Sequence, residues 1–212
     1  MTGSAIAIPW ENENIPAIVN GWYGGQSAGT AIADVLFGDY NPAGRLPVTF
    51  YKVDADLPSF MSYDMSGRTY RYFEGTPLYP FGFGLSYTNF KYEAMKVPAT
   101  YSKGTKLTVS VKVTNTGKTD GDEVVQLYLS HPGIKGKSPI RQLKGFKRIL
   151  LKAGSSQSVS FTLTSDQLQL VDEKDGHSYL PSGKLLVSIG GGQPNVTNKT
   201  TSNVISKEII IR

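Results

Sequence analysis

The strict alternation of apolar and polar residues in the second half of the chain most constrains its fold. Within residues 106–117, four apolar side chains alternate with lysine, threonine and serine: Leu107, Val109, Val111 and Val113. A period of two predicts a β-strand with one buried face and one face in water. Residues 122–130 repeat the pattern. The alternation therefore indicates packed sheets rather than helices in this half.

Seven segments of this kind follow one another up to the last residue. They are residues 89–95, 106–117, 122–130, 142–151, 156–164, 184–191 and 208–212. Stretches rich in Gly, Asp, Asn, Ser and Pro separate them and predict turns. Seven short strands without a long helix are typical of an immunoglobulin-like β-sandwich.

The first part of the chain predicts a different, α/β pattern. Residues 17–19 and 45–50 are apolar enough to predict two buried strands. Between them, apolar residues recur at helical spacing within residues 24–44, and Gly38 stands where a left-handed helix cap is expected. So few elements cannot cover both faces of a parallel sheet. This part is therefore interpreted as the remnant of a larger α/β domain, with apolar surface left bare.

Charge and composition limit the possible partners. Residues 1–85 contain four basic and eight acidic side chains, a net charge of −4, whereas residues 86–212 contain eighteen and nine, a net charge of +9. The change of sign suggests a domain boundary near residue 86. The chain has no cysteine, which excludes disulfides and thiolate metal ligands. It has no apolar run long enough to span a membrane, and its first residues lack the pattern of a signal peptide.

An aromatic, glycine-containing stretch, PLYPFGFGLSYTNF at residues 77–90, connects the two parts. We interpret its aromatic side chains as packing residues between the parts, in preference to ligand contacts. Its glycines are interpreted as sites where the backbone turns and a Cβ atom would clash. The interdomain packing residues predicted in this way are Tyr79, Phe81, Gly82, Phe83, Gly84 and Tyr87.

Four segments resemble glycoside hydrolase family 3, the β-glucosidase and β-xylosidase family. Residues 15–50 resemble the end of its α/β sandwich domain, and residues 67–90 resemble its linker. The segments LKGFKRILLKAGSS and PSGKLLVSIGG resemble its fibronectin type III-like domain. The resemblance implies a mainly β fold: an immunoglobulin/fibronectin type III-like β-sandwich at 88–212, preceded by a short α/β remnant at 1–58 and an aromatic linker at 59–87.

The resemblance also implies a function. Family 3 enzymes are retaining β-glycosidases that need a carboxylate nucleophile and a carboxylic acid/base about 5 Å apart. By resemblance, both groups belong upstream of the IPAIV segment at residues 15–19, so no catalytic residue is assigned here. The chain is expected to be the C-terminal part of an enzyme acting on β-glucosides or β-xylosides in plant polysaccharide breakdown. It would brace the catalytic domains and be inactive alone, and the parent enzyme is expected in the bacterial periplasm or outside the cell.

No cofactor or metal site is predicted. The two histidines, His131 and His177, lie in loop-like sequence and are interpreted as solvated. A basic run at residues 135–152 contains seven lysines and arginines and no acidic residue. It suits a polyanion or acidic polysaccharide, an acidic face of the parent enzyme, or a solvated strand face.

The expected partners are the missing N-terminal catalytic domains of the parent enzyme; neither nucleic acid nor a membrane is expected. Two alternatives stay open. The first is a non-catalytic module that binds polysaccharide. The second is a protein-docking module that binds a separate catalytic subunit through its exposed α/β face. Self-association through the same α/β remnant also stays open.

Overall fold

A computed structural model describes residues 1–134, 138–172, 174–196 and 200–212. In these ranges the helices are α1 (Pro9–Asn14), α2 (Ala28–Phe37) and α3 (Thr69–Tyr72). The strands are β1 (Phe90–Lys96), β2 (Thr100–Tyr101), β3 (Leu107–Asn115), β4 (Gly121–Ser130), β5 (Gln142–Leu151), β6 (Ser156–Leu163), β7 (Leu170–Val171), β8 (Ser178–Tyr179), β9 (Gly183–Gly190) and β10 (Val204–Ile211). Across those same ranges, no helix has the length and apolar character needed to cross a membrane.

The strands of the second half form two sheets that face each other. One sheet has the order β1-β3-β6 and the other the order β2-β10-β9-β4-β5, while β7 and β8 form a small separate hairpin. Neighbouring strands are antiparallel, except that β2 runs parallel to β10. The predicted mainly β, fibronectin type III-like sandwich is confirmed. The seven predicted strands correspond to β1, β3, β4, β5, β6, β9 and β10.

The alternation in the sequence builds the core between the sheets. Strand β3 buries every second residue and is paired on both sides, by β1 and β6. The facing sheet contributes buried apolar side chains: Val125, Leu127, Leu129, Leu185, Val187, Ile189, Ile209 and Ile211. Burying one such side chain stabilises the fold by about 1.5–3 kcal/mol. Most of the core therefore comes from residues after Ser86.

The helix predicted in the first part is confirmed, but the strand predicted before it is wrong. Helix α2 ends at Phe37, and Gly38 adopts the left-handed conformation with φ of 86°. Residues 17–19 form no strand, and Ile18 and Val19 are exposed. A strand persists only where a neighbouring strand supplies hydrogen bonds, and the described residues offer none to this segment.

Residues 45–50 do not form the predicted strand of an α/β sheet: the chain bends at Pro47 and Val48, and Phe50 makes a single β-bridge with Tyr79. Instead, the backbone groups of Leu46 and Phe50 make five hydrogen bonds of 2.8–3.3 Å with residues 78–83 of the aromatic linker. Pro47 and Pro80 have no N–H group to donate, which leaves this ribbon with gaps in its hydrogen bonding. The first part of the chain is thus fastened to the linker rather than to a sheet of its own.

The interpretation of both histidines as solvated is wrong for one of them. His177 is exposed, but His131 is 6% exposed. His131 follows directly on β4, next to the backbone of Leu168, and burial lowers its pKa. The described residues contain no group of three or more side chains suited to hold a metal ion. Lys135 and Lys137 of the basic run lie outside the described residues.

Candidate functional site at the linker junction

A buried ion pair joins the first part of the chain to the sandwich. Arg45, from the segment 45–50, places its Nη2 atom 3.3 Å from Oε1 of Glu123 on β4. The two side chains are only 6% and 0% exposed. The backbone N–H of Val124 donates to the same carboxylate oxygen at 2.9 Å. The pair lies beside the core residue Tyr92.

Burial dominates the electrostatics of this pair. It raises the pKa of Glu123 even though the Arg45 guanidinium acts in the opposite direction. Burial and the neighbouring Glu123 carboxylate together raise the pKa of Tyr92 well above its ordinary value. Removing one partner of a buried pair typically costs about 3–5 kcal/mol, because the other charge is left uncompensated. The position of Arg45 is therefore tightly linked to the integrity of the sandwich.

Gly82 brings the linker backbone against the outer face of the five-stranded sheet. Its φ is 77°, and a Cβ atom here would lie 2.2 Å from Oε1 of Gln126 and 2.8 Å from the hydroxyl of Tyr128. The Gln126 amide donates to the carbonyls of Gly82 and Gly191, each at 3.0 Å. The Tyr128 hydroxyl donates to the Gln126 oxygen at 2.6 Å. The linker, strand β4 and the residue that follows β9 thus share one buried hydrogen-bond network.

Aromatic rings fill the space around this network. Phe81 stacks on Tyr70 of α3 with ring centroids 4.1 Å apart, and Tyr70 meets Tyr128 edge to face at 6.2 Å. Tyr79 and Phe83 stack on each other at 5.3 Å. Phe81 reaches the sandwich through Tyr70, whereas Tyr79 and Phe83 pack within the ribbon formed by the linker and residues 45–50.

The last two predicted packing residues lie toward the rim of the junction. A Cβ atom at Gly84 would lie 2.2 Å from the carbonyl oxygen of Gly44. Tyr87 is 53% exposed, and its hydroxyl donates to the carbonyl of Val35 in α2 at 2.6 Å. Gly82 therefore meets the sandwich, Gly84 meets the first part of the chain, and Tyr87 connects to α2 from an exposed position.

Sequence reasoning missed the polar residues of the junction. Glu123 stands two residues before Val125, in the same phase as the core-facing residues of β4. A carboxylate in that phase requires a buried cation, and this signal was available in the sequence. The sequence does not identify Arg45 as this cation, because Arg45 lies 78 residues before Glu123.

A second feature is the loop from Ser59 to Arg68, which directly precedes α3. The guanidinium group of Arg68 donates to three backbone carbonyls of this loop, at 2.8–3.0 Å. Phe60 and Tyr63, in contrast, are 96% and 98% exposed. The hydrogen bonds of Arg68 therefore fix the backbone of the loop, while the rings of Phe60 and Tyr63 remain exposed.

Comparison with known proteins connects these features to a family. Residues 1–87 match the glycosyl hydrolase family 3 C-terminal domain, and residues 123–193 match a fibronectin type III-like domain. A xylan 1,4-β-xylosidase of Xylanibacter ruminicola is 46% identical over 189 residues, which cover 89% of this chain and 22% of that protein. A periplasmic β-glucosidase of Salmonella typhimurium is 40% identical over 203 residues, which cover 90% and 26%.

Solved structures show the same relationship. A β-glucosidase of Erythrobacter marinus superposes on the whole chain with a TM-score of 0.83 and 36% identity, over 27% of its own length. The chain thus spans about a quarter of the length of the relatives it matches. It belongs to glycoside hydrolase family 3, as a C-terminal portion that contains the fibronectin type III-like domain and the segment leading into it.

Proposed function

We propose that this chain is the C-terminal part of a retaining β-glycosidase acting on β-glucosides or β-xylosides, that it braces the catalytic domains, and that it is inactive alone. The junction carries this proposal. The Arg45–Glu123 pair and the Gln126 network fix the first part of the chain on the sandwich. The segment leading into the sandwich is therefore held in place, as a brace requires.

The acidic residues of the chain support the absence of catalysis. A retaining enzyme needs two carboxyl groups about 5 Å apart at a substrate pocket. Glu123, the acidic residue that is buried among the described residues, is paired with Arg45 at the end of the core. A carboxylate held in this way is not available for nucleophilic attack.

Bare apolar surface on the first part supports docking to the missing N-terminal catalytic domains. Leu36 and Phe37 of α2 are exposed, as are Phe60 and Tyr63 of the Arg68-held loop. Leu36 and Phe37 are neighbours in α2, and Phe60 and Tyr63 belong to one loop; exposed apolar groups clustered in this way favour an interaction surface. This surface lies on the part of the chain that matches the family's C-terminal domain.

Activity measurements test the first half of the proposal. The purified chain should not hydrolyse nitrophenyl β-glucosides or β-xylosides, since loss of a catalytic carboxylate typically removes several orders of magnitude in rate. Turnover that a single Asp or Glu substitution within the chain abolishes would refute the proposal.

Docking can be tested by sedimentation of the chain with the separately produced upstream portion of its parent enzyme. The variant with Phe60→Ser and Tyr63→Ser should associate at least tenfold more weakly than the unchanged chain. Phe146→Ser removes an exposed aromatic residue of β5 and is the matched control, which should associate normally. Equal association of all three proteins would exclude the loop from the interface.

The exposed rings of Phe60 and Tyr63 also favour one alternative, a carbohydrate-binding module, because exposed aromatic rings can stack on sugars. A polysaccharide pull-down separates the two functions. Retention of the unchanged chain and loss of retention on Phe60→Ser and Tyr63→Ser would favour the module over the brace.

A further inference from the structure

A pocket of about 220 Å³ opens between the linker and the sandwich, away from the Arg45–Glu123 pair. Its walls include Thr49, Tyr70 and Glu74 from the first part of the chain, and Arg141 and Gln193 from the sandwich. Pockets for drug-sized ligands are roughly 300–1,000 Å³. This one therefore has room for a single small ring rather than for an oligomer.

The charge in the pocket is unbalanced. Arg141 is half-buried, and burial lowers its pKa. Within the part of the chain that the structure describes, its guanidinium has no ion pair and no hydrogen bond. Glu74, also in the wall, is exposed at the rim and does not pair with it. A half-buried cation without a partner favours an anionic ligand, because its lost hydration is otherwise not replaced.

Two further polar atoms in the wall are buried and unused. Thr49 and Gln193 are each 7% exposed. The Thr49 hydroxyl and the Gln193 side-chain oxygen have no hydrogen-bond partner among the described residues. Buried polar atoms are normally hydrogen-bonded. Two buried atoms without a hydrogen-bond partner in one pocket therefore point to a ligand with hydroxyl groups.

The remaining wall is aromatic and fixed. Tyr70 stacks on Phe81, and its hydroxyl accepts a hydrogen bond from the Leu143 backbone N–H at 3.2 Å. Its ring is therefore held in position, and Phe73 lines the pocket beside it. An apolar wall opposite polar groups suits a pyranose, which has a face of C–H bonds and an edge of hydroxyls.

We propose that this pocket binds a monosaccharide acid, a pyranose ring with a carboxylate, with the carboxylate on Arg141 and ring hydroxyls on Gln193 and Thr49. Glu74 at the rim disfavours a second carboxylate there and can accept a hydrogen bond from an outward hydroxyl. The site does not depend on the proposed bracing function, and either can fail without the other.

Isothermal titration calorimetry of the whole chain with D-glucuronate tests the site, with D-glucose and acetate as comparisons at the same ionic strength. Glucuronate should bind at least tenfold more tightly than either, since glucose lacks the carboxylate and acetate lacks the hydroxyls. No detectable binding of glucuronate would overturn the proposal. Acetate binding as tightly as glucuronate would overturn it too, because the pocket would then recognise a bare carboxylate, such as a protein side chain.

Two variants locate the binding. Arg141→Gln should weaken glucuronate binding at least tenfold, because hydrogen bonds to charged groups contribute most. Thr49→Val keeps the shape of the side chain and should weaken it several-fold, which preserves the test if the arginine variant does not fold. The control, Arg148→Gln, removes the same charge from an exposed position of β5 and should bind normally. Unchanged binding by both pocket variants, or loss in the control alone, would place the ligand elsewhere.

Discussion

Single residues decide how firmly the two parts of the chain hold together, and Arg45 is the clearest case. Arg45→Met should lower the free energy of unfolding by about 3–5 kcal/mol, because it leaves the Glu123 charge buried without a partner. Urea denaturation of the whole chain measures this change. The double variant with Glu123→Met as well should recover part of the loss, since no unpaired charge is then buried.

A matched control exists on β5. Arg148 pairs with Asp122, but its side chain is 57% exposed. Exposed pairs contribute about 0–1 kcal/mol, so Arg148→Gln should change stability little. If Arg45→Met were as mild as Arg148→Gln, the junction would not depend on the buried pair.

His131 gives the stability a pH dependence. Its pKa in the folded state is lowered by burial, so the unfolded chain binds more protons as the pH falls below the ordinary value of 6.5. Stability should therefore fall on acidification through this window, and His131→Gln should flatten the curve. The free energy of unfolding of the unchanged chain and of the variant, measured from pH 7 to pH 5, gives the contribution of His131 as their difference.

The control for this measurement is His177→Gln, because His177 is solvent-exposed. It should leave the pH dependence unchanged. If the dependence of stability on pH disappeared in the His177 variant and persisted in the His131 variant, it could not be attributed to His131.

At the scale of elements, local pattern and long-range pairing differ in how well they can be predicted. The seven main strands follow from alternation, which is a property of each segment alone. Residues 17–19 and 45–50 have strand-like composition, but a strand also needs neighbours, and the described chain gives only 45–50 a partner. The packing role predicted for the linker glycines rests on a local property, since few other residues tolerate tight backbone geometry. Arg45 could not be chosen, because its partner lies far away along the chain.

Gly82→Ala tests the linker as an element. The new methyl group would overlap the Gln126 amide, and the backbone would keep a φ of 77° that disfavours any side chain. We expect a loss of at least about 1–3 kcal/mol in the free energy of unfolding. Gly44→Ala is the control, since a Cβ there meets no atom within 4 Å. Equal stability of the two variants would mean that the linker can move off the sheet.

At the scale of the whole molecule, we expect residues 88–212 to fold alone, because the sandwich core is formed by its own strands. Removing residues 1–87 leaves Glu123 without Arg45 and uncovers Gln126. The truncated chain should therefore melt cooperatively, at a lower temperature than the whole chain.

Glu123→Gln tests whether the truncated chain melts at a lower temperature because Glu123 has lost its partner, rather than because contacts in general are lost. It should raise the melting temperature of the truncated chain and lower that of the whole chain, as followed by circular dichroism. Residues 1–75 alone should show no cooperative transition, and a sharp melt of that fragment as a monomer would contradict the proposed domain boundary.

The wide separation of Arg45 and Glu123 has a consequence for the order of events during synthesis. Arg45 leaves the ribosome well before Glu123, and at about 5–20 residues per second the delay is on the order of several seconds. Throughout that interval the arginine has no buried partner, and the linker has no sheet to cover. The nascent first part must therefore remain in an unfinished state, with its junction side chains uncovered, until the sandwich emerges behind it. Chaperones or proteases that recognise this segment would act in that interval.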